Sequence, residues 1–155
     1  MSTAAPHRLT RALPSLAAWL AYFRAAPIPV LARTAEAVQV LAANEDAVDA
    51  HLLAQTLGDD PLMTLKLLLH VGTTSRRETD VETVVGALVL LGIGPFFRRF
   101  GELSALEEVL GDLPEALDGA GAVLRRSHRA ARFALGFAAH RLDPDAAVIH
   151  EAALL

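Results

Sequence analysis

The chain is 155 residues long and contains no cysteine. One domain can therefore bury a core of its own, and disulfides, thiolate metal sites and cysteine nucleophiles are excluded. A net charge of −4 and an isoelectric point near 5.8 argue against a general polyanion binder, so nucleic acid is not an expected partner. Hydrophobic residues make up 53% of the chain but aromatics only 5%; the apolar mass is Ala, Leu and Val, the first two being strong helix formers. The mean hydropathy of +0.37 leaves more apolar surface than a single fold of this size needs, which points to contact with another domain or subunit, a homodimer included. The longest uncharged apolar run, Thr83 to Phe97, is too short to span a bilayer and is interrupted by Gly94-Pro95, so no membrane segment is expected. The opening MSTAAPHRLTR lacks the charged start and apolar centre of a signal peptide, and a cytoplasmic protein is the expectation.

In chain order, residues 1–12 read as a loosely ordered segment and 13–155 as one helical domain. Leu16, Trp19, Leu20 and Phe23 fall at helical intervals after Pro14-Ser15, and Pro27-Ile28-Pro29 ends that helix. Val30 to Ala43 reads as a second helix with Asn44 as its cap. A third begins at Asp49 and leaves through Gly58 in the left-handed conformation. In LGDDPLMTLKLLLHVG, Asp60 can accept from free amides and Pro61 suits the first helical position, a cap whose removal costs roughly 1 kcal/mol. Lys66 is expected to snorkel outward and Gly72 to end the helix, with His70 in its last turn complementing the dipole.

Thr79-x-x-Glu82 reads as a capping box for a helix starting near Val81, in which Gly86 suggests that another backbone passes close by. Gly92 closes that helix and Gly94-Pro95 opens the next, carrying Phe96, Phe97 and Phe100. Ser104-x-x-Glu107 is a second box. A long helix follows Pro114 and runs to about Leu142, with a candidate break near Gly119 and Gly121; its apolar face includes Leu124, Ala131, Phe133, Leu135 and Phe137. Asp143-Pro144 starts the last helix, DAAVIHEAALL, which has no C-cap and ends on apolar residues. No segment carries a strand signal, and the fold class expected is all-α, a multi-helix bundle.

Chemical groups are scattered. The serines at 2, 15, 75, 104 and 127 lack a nucleophile elbow. The GIG at Gly92 to Gly94 follows a helix, and Pro95 denies an amide to any phosphate. Asp59-Asp60 and Glu107-Glu108 are better placed to cap and solvate helices than to act as an acid–base pair. His128 and His140 lie about 120° out of phase on an ideal helix. No catalytic residue, metal site or cofactor is therefore expected. The feature left over is a basic helix face: Arg125, Arg129 and Arg132 recur at helical spacing, with Arg126 and His128 adjacent. These arginines are the candidate binding residues; the face is either solvated surface or the seat of an anionic ligand or partner segment.

Several of these stretches together resemble the HDOD family of bacterial signalling modules. The match rests on Asp60, Pro61, Leu62, Leu68 and Leu69 in the Asp-Pro helix, then Ala87, Leu90, Leu91 and Gly92 at the end of the next. Ser127, Ala130 and Ala131 fall in register with the family's Ser-x-x-Ala-Ala helix, and IHEAALL is similar to the approach to its histidine–aspartate position. The resemblance implies an all-helical, metal-free relative of HD-type phosphohydrolases. Such a module is a regulatory part rather than a catalyst, with signalling-protein partners in two-component or cyclic-di-GMP pathways. HVGTT stands where the family often has Ala-Asn-Ser, and Val123 or Leu124 where it has tryptophan. Arg126 occupies the place of the first metal histidine of HD enzymes, and a guanidinium cannot ligate a metal. The rival readings are a metal-dependent HD-type nucleotide phosphohydrolase and a sensor of a small anion such as a cyclic dinucleotide. The match and the uncapped end also imply an HDOD-like bundle truncated on its C-terminal side, the natural chain continuing past Leu155 with a further helix.

Overall fold

Five of the helix starts in the computed structural model, which describes Leu9 and residues 11–74 and 81–155, fall at a polar side chain or a proline. Ser15 accepts the Ala18 amide at 3.2 Å and begins α1 (Leu16–Ala25). Asp49 accepts the Leu52 amide at 2.7 Å and begins α3 (Ala50–Leu57). Asp60 and Pro61 begin α4 (Pro61–Thr74), and Thr83 accepts the Gly86 amide at 3.1 Å to begin α5 (Val84–Leu91). Pro114 opens the 27-residue α8 (Pro114–His140) at the position where its missing amide costs nothing. The remaining helices are α2 (Ala32–Ala42), α6 (Ile93–Phe100), the single turn α7 (Leu106–Val109) and α9 (Ala146–Leu154), with a 3₁₀ turn at Glu45–Ala47. Among the described residues the only β feature is an isolated parallel bridge between Val30 and Ala105, so the fold is all-α.

Helix α2 has no side-chain cap of its own, and its start is completed from a distance. The Leu31 amide donates to Asp60 Oδ2 at 2.8 Å and the Ala32 amide to Glu107 Oε2 at 2.8 Å. Val30 donates to the Ser104 carbonyl at 3.0 Å and accepts from Leu106 at 2.7 Å. Lys66 Nζ donates to the Ile28 carbonyl at 2.8 Å, and Arg33 Nη2 to that of Asp59 at 3.1 Å. The segment entering α2 is thus bound to the starts of both α4 and α7.

The core lies between α2 and α6, with Val38, Leu53, Leu57, Met63, Leu67, Leu88 and Phe96 fully buried. The nearly all-apolar α5 packs against α3, α4 and α6. It turns Val84, Ala87 and Leu88 inward and leaves Val85 and Val89 exposed. Gly92, at φ 85°, both ends α5 and starts α6; Phe96, Phe97 and Phe100 pack inward from α6 while Arg98 and Arg99 face out. Helices α8 and α9 form a hairpin whose turn passes through Leu142 at φ 53°. Ser127 Oγ donates to the Leu154 carbonyl, and Leu154 is buried. Glu151 Oε2 accepts the Val84 amide at 2.7 Å, joining the hairpin to the start of α5.

Several local expectations are corrected. Gly72 lies inside α4, which runs on to Thr74, and Gly58 is right-handed at φ −64°. The cap of α5 is Thr83, and the helix begins at Val84 rather than Val81; Thr79 lies outside the described residues, as do residues 1–8 and 10 of the N-terminal segment. A Cβ at Gly86 would meet Thr83 Oγ1 at 3.1 Å, so its neighbour is its own helix cap and not a passing backbone. Ser104 and Glu107 form no reciprocal box, because the Glu107 carboxylate serves α2 instead. Helix α8 is unbroken at Gly119 and Gly121. Lys66 turns in to Ile28 rather than outward. Burial, followed by repulsion from Arg99, lowers its pKa from the ordinary lysine value.

Two substitutions test this arrangement. Asp60 is 1% exposed and accepts from Leu31, Leu62 and Met63. Asp60→Ala therefore strands more than one buried amide and is expected to lose roughly 3 kcal/mol in urea unfolding, with Asp60→Asn intermediate. A loss close to the roughly 1 kcal/mol of a single cap would remove the long-range bond to α2. A Cβ at Gly72 meets nothing within 4 Å, so Gly72→Ala is expected to gain about 0.5 to 1 kcal/mol from helix propensity. A residue ending the helix in the left-handed region would lose stability on the same change.

Candidate interaction surface

At about 3.6 residues per turn, Ser127, Ala131 and Ala138 share one side of α8, while Arg125, Arg129 and Arg132 lie opposite. The structure buries the first side: Ala131 and Ala138 are covered, and Ser127 is bonded to α9. It leaves the second in solvent, with Arg125, Arg126, Arg129 and Arg132 all exposed. The candidate arginines therefore stand together on one stripe. Arg129 Nε donates to the Arg125 carbonyl at 3.3 Å. The Arg125 guanidinium lies over Gly121, 3.2 Å from where a Cβ would stand, so glycine gives it room.

Aromatic residues flank the arginines. Phe133 is 71% exposed and Phe137 is 72% exposed, far more than a core side chain would be. Arg129, Arg132 and Phe133 line an open depression of about 330 Å³. The apolar face expected of the long helix is therefore divided. Ala131 is buried and Leu124 half-buried, whereas Phe133, Leu135 and Phe137 are exposed.

Several of the polar side chains singled out along the sequence hold backbone amides or neighbouring side chains. The Asp60 and Glu107 carboxylates hold backbone amides, Ser15 caps α1, and His51 Nε2 lies 3.0 Å from Gln55 Nε2. His70 is not in the last turn of α4. Its ring stands edge-on to Phe100 at 5.3 Å, and burial, then Arg99, lowers its pKa, so it favours the neutral form over the helix-end cation expected. His128 is half-buried and His140 exposed. Among the described residues no three His, Cys, Asp or Glu side chains come together in a way that could hold a metal ion. No helix among them is long and apolar enough to cross a membrane.

Glu151 is the polar residue that spacing alone did not reveal. It sits in a short apolar helix, and its amide partner Val84 is 67 positions away in sequence. Compared with protein-family models, with curated proteins and with solved structures, the chain matches none.

Burial raises the Glu151 pKa above its ordinary value near 4.5, against the Val84 amide, which lowers it. The folded state therefore holds this proton more tightly than the unfolded state does. The resulting stability is fully present below about pH 4.5 and is lost as pH rises through the raised value. Glu151→Gln keeps an acceptor for Val84 and removes the titration. Thermal melts from about pH 4.5 to neutrality should then show the wild type losing stability relative to this variant. Glu151→Ala should instead lose about 1 kcal/mol across that range, as a missing cap does. Parallel pH profiles for wild type and the Gln variant would show that the carboxyl is not held in the interior.

Proposed function

We propose that the chain is a non-enzymatic, HDOD-like regulatory module of bacterial signalling that works through protein–protein contact on the outward face of α8. The observation that carries this reading is the pair of solvent-facing rings, Phe133 and Phe137, beside Arg125, Arg129 and Arg132. Aromatic and arginine side chains together are what protein interfaces favour at their centres, because they bring large contact area along with charge-assisted hydrogen bonds. The positions that carry the family resemblance support it: the Asp60–Pro61 joint is buried, Ser127 and Ala131 turn toward α9, and Arg126 points to solvent. An HD-type phosphohydrolase needs imidazole and carboxylate ligands around that last position to hold a metal and activate its water. Partners in a two-component or cyclic-di-GMP pathway, and a cytoplasmic setting, belong to the same proposal.

A second reading, a sensor of a small anion, is favoured by the depression beside Arg129, Arg132 and Phe133. Two guanidinium groups and a ring can hold a phosphate and a base together.

Arg125→Glu, Arg129→Glu and Arg132→Glu combined reverse the charge of the face without touching the core. The variant is expected to melt like the wild type and to lose the signalling proteins that the wild type recovers from bacterial extract. Undiminished recovery would make the stripe plain solvated surface. Titration with a cyclic dinucleotide separates the sensor reading. Purified protein that carries a stoichiometric transition metal and hydrolyses a phosphodiester would overturn the proposal outright.

A further inference from the structure

We infer that the outward face of α8 pairs with a second copy of the same face, the two helices lying antiparallel across a two-fold axis. The inference rests on α8 as a contact surface and not on the family resemblance. Its basis is the order of charge along the helix. Glu115 and Asp118 are exposed near its start, and Arg125, Arg129 and Arg132 are exposed farther along. With Ala122 between them, these residues follow one another at alternating steps of three and four, the spacing that keeps a stripe facing a neighbouring helix. None of Glu115, Asp118, Arg125 or Arg132 forms an ion pair with another described residue.

Acid at one end of a stripe and base at the other make the stripe complementary to itself when it is turned end for end. Placing the axis between Val123 and Leu124 sets Glu115 opposite the partner's Arg132. The same register sets Asp118 opposite the partner's Arg129 and Ala122 opposite the partner's Arg125. One register thus satisfies both charge pairs, and the symmetry repeats them on the other side of the axis. The paired stretch, Glu115 to Arg132, is roughly 25 Å long at 1.5 Å per residue. A parallel arrangement would set acid on acid and arginine on arginine. The face carries both signs in a sequence that fits its own copy.

In the same register Phe133 lies opposite the partner's Pro114, the first residue of its helix, while Phe137 stands beyond the paired stretch. Close to the axis are Gly119 and Ala122, with Gly121 covered by the Arg125 guanidinium of its own chain. A Cβ at Gly119 would meet nothing within 4 Å in this chain, so the fold does not require glycine there, although it costs the exposed helix about 1 kcal/mol relative to alanine. Small residues beside the axis let two backbones approach.

Sedimentation velocity on the purified protein tests the pairing without reference to any signalling partner. The wild type should dimerise at low salt, and its dissociation constant should weaken by at least about tenfold in high salt, since the pairs are exposed to screening. Arg129→Glu with Arg132→Glu should be monomeric, as should Glu115→Arg with Asp118→Arg, each with a wild-type circular dichroism melt. Mixing these two variants should restore a dimer containing one of each. The fourfold exchange of both sets should restore a homodimer, which an antiparallel pair allows and a parallel pair does not. A wild type that stays monomeric at low salt and high concentration overturns the inference, as does a dimer indifferent to salt and to every charge reversal. If the dimer behaves as stated but no signalling protein is recovered from extract, the functional proposal falls while the pairing stands.

Discussion

A carboxylate with almost no access to water holds the arrangement of this protein together. Asp60 cannot be buried as an ion unless donors replace the water it loses. Two of those donors are the amides of its own helix, Leu62 and Met63; the third is Leu31, at the start of a different helix. The requirement that stabilises the start of α4 therefore also fixes where α2 begins. Once α2 is in place its next amide is within reach of Glu107, and Val30 is aligned against the Ser104–Leu106 backbone. The apolar faces of α2, α4 and α5 meet in one core, in which the start of α2 is bound to the start of α4.

The same device recurs between the bundle and the α8–α9 hairpin. There Glu151 accepts the first amide of α5, and Ser127 reaches the end of α9. In each case a polar side chain of one helix completes the terminus of another, and satisfied backbone groups become the joints between elements. The second joint is less buried than the first, and burial raises the pKa of its carboxyl above the ordinary glutamate value. Beyond it, α8 presents its arginines and phenylalanines to solvent, on a helix held firmly along one side only.

What could be read along the chain follows this division between near and far. Ser15, Asp49, Asp60-Pro61, Gly92 and Pro114 mark helix ends through groups a few residues away, and each does so in the structure. Asp60 was legible as a cap yet not as a tether, because Leu31 is 29 positions away. Glu107 was misread for a related reason: its spacing from Ser104 suggests a local box, and only the fold shows an open amide closer at hand. Gly72 was misread because a glycine in an apolar run looks the same whether it ends a helix or continues it. The arginine stripe of α8 was legible because it belongs to one helix. The exposure of Phe133 and Phe137 was not, since a helix with apolar residues on two sides does not reveal which side its neighbours will cover.

Gly92 closes α5 and opens α6 with no residue between them, at φ 85° and ψ 153°, a region almost reserved for glycine. A loop would let each helix settle independently; a single shared residue makes the two helices a bent lever. Only the two turns of α5 and this one residue separate the Val84 end, where Glu151 holds on, from the helix that carries Phe96 and Phe100. The hairpin that carries the exposed surface is thus joined to the aromatic side of the core through α5 and a corner that only a residue without a side chain turns readily.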